Sequence, residues 1–272
     1  MFSDMTKRYF VPFLFFFSLS VLPTVIFANQ HQDSVYRVRT IVLDAGHGGP
    51  IPGAIGATSK EKDIALQVVL KLGKAIVEEM PDVRVLYTRT TDVNVELYKR
   101  IEFANENRAD LFISVHLNSV RSSRNRVRGT ETFVSLFGRL DEQEPSLRAK
   151  AERENKDILL EENYEENYGG FNPNDPASYI ILSLMKNQFR EQSVQLASLI
   201  QEEYEKSGRE NRGVQELSLA VLARASMPAV LTEIGFISNP NEETYMKSAK
   251  GQEEIVDDLV NAIKLYKKHI ER

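Results

Sequence analysis

Thr40-Ile41-Val42-Leu43-Asp44-Ala45-Gly46-His47-Gly48-Gly49 is a run of β-branched and aliphatic residues that breaks into glycines on either side of one histidine. The run reads as a buried strand and the glycines as the turn at its carboxyl end. In open α/β sheets that end is where chemistry is placed, so the strand delivers an imidazole there. A glycine-bracketed histidine standing alone would only decorate a turn. Here the pattern recurs: Ala109-Asp110-Leu111-Phe112-Ile113-Ser114-Val115 ends at His116, and Ala229-Val230-Leu231-Thr232 ends at Glu233. Three strand ends thus offer two imidazoles and a carboxylate.

The segments between these strands read as helices. Ile64, Val68, Leu72 and Ile76 recur every four residues, a stripe that packs on a sheet. Thr58 and Glu61 have the spacing of a capping box at the start of that helix, so spacing alone leaves Glu61 either as a cap or as a ligand. Val83 to Arg89 is the second strand, and Leu97, Ile101 and Ala104 mark a helix returning to the strand that ends at His116. Two strand-helix-strand units in a row predict parallel pairing with right-handed crossovers. Gly129 to Leu136 reads as a strand at an edge, and Leu219 to Ala223 as a further short strand. Asp175-Pro176 opens a long helix with the stripe Ile181, Met185, Phe189, Leu196 and Ile200, which stops at Gly208. Ile255, Leu259, Ile263, Tyr266 and Ile270 line a closing helix. The expectation is a single α/β domain over residues 39–272, a mostly parallel twisted sheet of about six strands with helices on both faces.

Composition narrows the chemistry. With 272 residues, 42% of them hydrophobic, the chain can bury a substantial core. A net charge of -5 gives no reason to expect nucleic acid as a partner, since a phosphate-binding surface needs a basic excess. The basic cluster Arg121, Arg124, Arg126 and Arg128 reads as a solvated loop. Cysteine is absent, so any metal must be held by His, Glu or Asp. Of the four histidines, His31 falls in a linker and His269 on the terminal helix, which leaves His47 and His116. At the amino terminus Lys7 and Arg8 precede an apolar run from Tyr9 to Ala28. It reads as a secretory signal cleaved near Ala28, followed by a linker over 29–38. An uncleaved anchor is the alternative, since the run approaches spanning length but carries Pro12 and Pro23.

A hydrolytic zinc ion takes three protein ligands, commonly two imidazoles and a carboxylate, and keeps one position open. A separate carboxylate must still move a proton from water to the leaving group. Glu233 sits in an apolar strand end followed by Gly235-Phe236-Ile237, surroundings that raise its pKa towards proton transfer, although spacing does not decide which glutamate ligates and which shuttles protons. Asp44 and Asn118 flank the histidines either as partners that orient them or as turn residues satisfying backbone groups.

Taken in order, IVLDAGHGG, SKEKDIAL, TRTTD with LYKRIEFANENRADLFISVHLNS, ENRGV and MPAVLTEIGFISNP resemble the zinc-dependent N-acetylmuramoyl-L-alanine amidases of the amidase-3 family, over nearly everything from residue 39 onward. The resemblance implies one zinc ion on His47, Glu61 and His116, with Glu233 as catalytic acid and base. It implies cleavage of the amide between N-acetylmuramic acid and L-alanine in peptidoglycan; the amino-terminal signal adds the expectation of an enzyme exported to the periplasm or cell envelope, and a monomer is expected. Another zinc-dependent cell-wall peptidase or deacetylase, or a degenerate wall-binding protein, are the competing readings. Residues 137–175 are acidic and longer than an ordinary connection, and by themselves read as a solvated charged insertion, with a helix at Leu147 to Leu160 presenting Leu147, Ala151 and Ile158 on one side. The stretch from Ala151 resembles the segment that, in cell-division members of the family, lays a helix over the active site until a partner protein withdraws it. That likeness implies autoinhibition by a glutamate of the insertion and an activator that displaces it.

Overall fold

The protein is described by a computed structural model over residues 36–135, 144–184 and 189–272. The signal segment at 1–28, most of the linker, the first residues of the insertion and Met185 of the helix stripe lie outside the described residues. Six strands form one sheet: β1 (Thr40–Ala45), β2 (Arg84–Tyr87), β3 (Leu111–Asn118), β4 (Thr130–Ser135), β5 (Asn211–Leu217) and β6 (Ala229–Phe236), in the order β2-β1-β3-β6-β4-β5. All neighbours pair in parallel except β4 and β6, which run antiparallel. The single α/β domain with a mostly parallel sheet is therefore the architecture present.

Because strand side chains alternate between faces, each buried strand feeds two cores. Ile41, Leu43, Ile113 and Val115 face one side, packed by α1 (Glu61–Glu79), α6 (Arg190–Lys206) and α9 (Ala249–Ile270) through Ile64, Leu196 and Ile255 among others. Val42, Phe112 and Phe133 face the other, covered by α2 (Leu97–Glu106) and α7 (Ala220–Ala223). The insertion joins this second core: α3 (Pro145–Asn155), a 3-10 turn at Lys156–Leu160 and α4 (Tyr164–Asn167) bury Ala151, Ile158, Tyr168 and Phe171 there. Residues 144–175 are thus a packed cover, not a solvated excursion.

Four expectations need correction. β4 is not at the edge; β5 lies outside it. The stretch Leu219 to Ala223 is not a strand, since Ala220–Ala223 form a short buried helix. Periodicity cannot tell a short buried helix from a short buried strand, whereas β5, half exposed and reading NRGVQEL, lacks any apolar run. The helix expected from Asp175 onward is divided among a 3-10 turn at Pro176–Ser178, α5 (Tyr179–Leu184) and α6, with Asp175 accepting from the Ala177 N–H as a cap. Finally, no capping box opens α1: its cap residue Lys60 makes no side-chain bond, and the Thr58 hydroxyl donates instead to Glu243 of α8 (Pro240–Lys247).

Candidate metal centre and active site

His47 leaves β1 in a left-handed conformation with φ 57°, and its neighbours Gly48 and Gly49 also take positive φ. Two buried arginines hold this unfavourable turn. Arg89 donates to the carbonyls of Ala45 and Gly46, and Arg100 to those of Ala45 and His47. Arg100 is in turn neutralised by Asp44 at 2.9 Å, which also accepts from Ser114 and Thr88. Asp44 therefore acts on the turn through Arg100 and bonds to neither histidine.

The other side chains converge on His47. The ring centroids of His47 and His116 are 4.9 Å apart. A Cβ on Gly46 would stand 2.5 Å from His116 Nε2, so only glycine lets that ring pass. Glu61, at the first residue of α1, accepts from the N–H groups of Ala54 and Leu117, which aims its carboxylate between the rings, 3.3 Å from His47 Nε2 and 2.9 Å from His116 Nδ1. Glu154 of α3 enters from the insertion, its Oε2 lying 3.2 Å from His116 Nδ1 and 3.8 Å from His47 Nε2. The outward nitrogen of His47 lies 2.8 Å from Asp157 of the insertion, an arrangement that leaves the inward lone pair available. His47, Glu61, His116 and Glu154 offer ligand atoms within 4.8 Å of one another, a group that could hold one metal ion.

The donor set fits such an ion. His47 Nε2, His116 Nδ1, Glu154 Oε2 and Glu233 Oε2 are buried and make no hydrogen bond, a costly state for polar atoms unless something they jointly bind repays it. Electrostatics agree. Burial opposes charge on His47, but Glu61, Asp157 and Glu154 outweigh it and hold the imidazole well above its ordinary range. His116, equally desolvated, is pushed up to about 9 by Glu154 and Glu61. Against burial, the two imidazoles hold Glu61 well below the usual carboxylate range. A site that draws protons onto imidazoles is one a divalent cation would neutralise.

Glu233 sits beside this group, fully buried and opposite His116 in the β3–β6 register. Burial first, then the Glu154 charge, push its carboxyl up to about 8. Arg153 of α3 spans the gap, holding Glu154 at 2.6 Å and approaching Glu233 at 3.4 Å. A groove of about 1260 Å³ runs over the centre, lined by His47, Glu61, Arg121, Glu131 and Arg212 and by residues of α3. Asn118 donates to Glu131 and so orients neither histidine.

The residues read from the strand ends, His47, His116 and Glu233, are thus brought together with Glu61, although β3 continues two residues past His116 and β6 three past Glu233. Sequence reasoning missed Arg89, Arg100, Arg153 and Asp157 as members of the site, and expected a glutamate of the insertion there without singling out Glu154. For Arg100 a signal existed, a charged residue beside Leu97, Ile101 and Ala104 on the buried face of α2.

Comparison with known proteins finds relatives over most of the described chain. AmiA of Escherichia coli K12, an N-acetylmuramoyl-L-alanine amidase, is 28% identical over 235 residues that cover 84% of this chain and 76% of AmiA. An endolysin of Bacillus phage SPP1 is 31% identical over 230 residues, 82% of this chain and 66% of the endolysin. The chain spans 53% of AmiC from Escherichia coli O6:H1, at 28% identity. The crystal structure of an N-acetylmuramoyl-L-alanine amidase from Clostridium difficile 630 aligns with a TM-score of 0.62 at 25% identity, covering 85% of this chain and 97% of that one. A family model described as N-acetylmuramoyl-L-alanine amidase matches residues 41–265, and the chain belongs to that amidase-3 family of enzymes.

Proposed function

We propose that the chain is a zinc-dependent peptidoglycan hydrolase that cleaves the amide between N-acetylmuramic acid and L-alanine, and that its insertion holds it closed. The observation that carries this reading is the convergence of buried ligand atoms from His47, His116 and Glu154 that make no hydrogen bond, beside a desolvated Glu233. His47, Glu61 and His116 would hold the metal, and nitrogen with oxygen donors suit zinc in a chain without cysteine. When bound, zinc supplies a Lewis acid that polarises a carbonyl and acidifies water. Glu233 takes the proton from the attacking water and passes it to the leaving nitrogen, and the burial that raises its carboxyl lets it keep the proton between the two transfers. In the closed state Glu154 would add a fourth ligand to His47, Glu61 and His116 and Arg153 approaches Glu233, so an activator protein that withdraws residues 137–175 would free both at once. No helix among the described residues is long and apolar enough to cross a membrane. The basic and apolar amino terminus suits export to the cell envelope, where a monomer would meet its substrate.

Digestion of purified peptidoglycan with and without a chelator, followed by identification of the new termini, tests the reading. Chelator-sensitive release of L-alanine amino groups with intact glycan supports it. New termini inside the peptide, or released acetate, would replace it with a peptidase or a deacetylase.

A further inference from the structure

His116, Glu233, Glu131 and Arg212 form a row across the sheet. His116 lies opposite Glu233 between β3 and β6, and Glu233 opposite Glu131 between β6 and β4. Arg212, in the irregular stretch of β5 that faces Glu131, donates from Nε to its carboxylate at 2.7 Å. Directly opposed side chains share a face, and strands are about 4.8 Å apart, so the row runs outward from the metal ligand past the proton-transferring carboxylate. Glu131 is only 7% exposed. Its carboxylate also accepts from Asn118 Nδ2 at 2.9 Å and from the Lys150 ammonium of α3, which lies 4.7 Å from the Phe133 ring centre. Arg212 is steadied over the Phe236 ring at 5.3 Å. Of these partners only Lys150 belongs to the insertion, so withdrawing α3 would leave a buried acceptor facing the groove, backed by an aromatic face.

Amide hydrolysis yields an acid and an amine. The C–N bond breaks, the water oxygen joins the acyl carbon, and the nitrogen gains one proton through Glu233 and a second released as the new acid ionises. With the acyl side at the metal ligands and the nitrogen at Glu233, the row continues on the amine side. On the amidase reading above, we infer that Glu131 and Arg212 form the subsite for the amine half of the substrate: Glu131 receives the nascent ammonium and Arg212 a carboxylate further along the peptide. In the closed state Lys150 fills the ammonium's place.

Calorimetry on the full-length, metal-loaded chain tests this with the dipeptide L-Ala-γ-D-Glu and its des-amino counterpart, in which propionyl replaces alanyl. A buried ammonium-carboxylate pair predicts that the free amine binds at least ~10-fold more tightly, since charged hydrogen bonds are the strong ones. Glu131→Gln should erase that preference and Glu131→Asp keep part of it, while Arg212→Lys keeps the preference but weakens both ligands. Lys150→Ala should tighten dipeptide binding by removing the competing ammonium. The inference falls if Glu131→Gln retains the preference, if Lys150→Ala weakens binding, or if neither the wild type nor Lys150→Ala binds the dipeptide. Failure of the amidase reading would look different, because the muramoyl amide would then stay uncut even after the insertion is displaced.

Discussion

Ile158 offers a graded test of whether the insertion restrains the enzyme. It follows Asp157 directly, is fully buried, and packs in the second core with Ala151, Tyr168 and Phe171 of the same segment. Truncating a buried isoleucine to alanine costs about 2–5 kcal/mol, and to valine about 0.5–1.5 kcal/mol. If the insertion undocks while the sheet stays folded, that cost falls on the docking equilibrium. At about 1.4 kcal/mol per factor of ten, Ile158→Ala raises the open population roughly 30-fold to several thousandfold, and Ile158→Val roughly 2- to 13-fold. Basal peptidoglycan hydrolysis and protease cleavage within residues 144–175 should rise together, valine before alanine, until the open form predominates. If Ile158→Ala exposes the segment to protease and leaves hydrolysis unchanged, the insertion does not block the site. If it lowers the global unfolding transition without local cleavage, the segment is ordinary core.

Other outcomes follow from single contacts. Glu233→Gln should keep full metal content, measured by elemental analysis, while hydrolysis falls about 10²- to 10⁴-fold, the usual worth of general acid-base catalysis. Glu154→Gln should release metal more readily to a competing chelator and raise basal hydrolysis, since Glu154 sits among the metal ligands and also bars access. Asp44→Asn should lower stability by about 3–5 kcal/mol in urea unfolding, because Arg100 would keep a buried charge without its counterion. Glu161 accepts from the Leu97 N–H and the Tyr168 hydroxyl at the far end of the insertion, with Glu96 and Arg100 nearby, and burial raises its carboxyl from 4.5 to about 6. A docked pKa above the free one means docking favours the protonated form. The stabilisation is therefore complete below about pH 4.5 and lost as pH rises through about 6. Proteolytic release of the segment should accelerate across that window, and Glu161→Gln should flatten the dependence.

Burial on both faces decided which strands could be read. β1, β3 and β6 are buried along their whole length and so appear as continuous apolar runs, whose ends mark His47, His116 and Glu233. β5 is an exposed edge with two apolar side chains, Val214 and Leu217, and left no such trace. Glu61 was ambiguous for a different reason: a carboxylate three residues after a threonine has the same spacing whether it caps a helix or binds a metal. What separates the two roles is the pair of N–H groups from Ala54 and Leu117, one of them delivered by a strand more than fifty residues away.

Two members of the site that were not read, Glu154 and Arg100, share one feature, which extends beyond this chain. On α3 and the turn after it, the buried stripe runs through Leu147, Ala151 and Ile158, and Glu154 falls on that same stripe, three residues after Ala151 and four before Ile158. On α2 the stripe runs through Leu97, Ile101 and Ala104, and Arg100 falls within it. A charge placed where the helix turns inward cannot be left to solvent, and burying it unpaired would cost more than either helix gains from packing. Each such position therefore announces an opposite charge on the element it faces: Asp44 for Arg100, and the imidazoles with Arg153 for Glu154. Counted among eight glutamates of an acidic segment, Glu154 looks like any other; placed on the helical stripe, it is the one that must meet something buried.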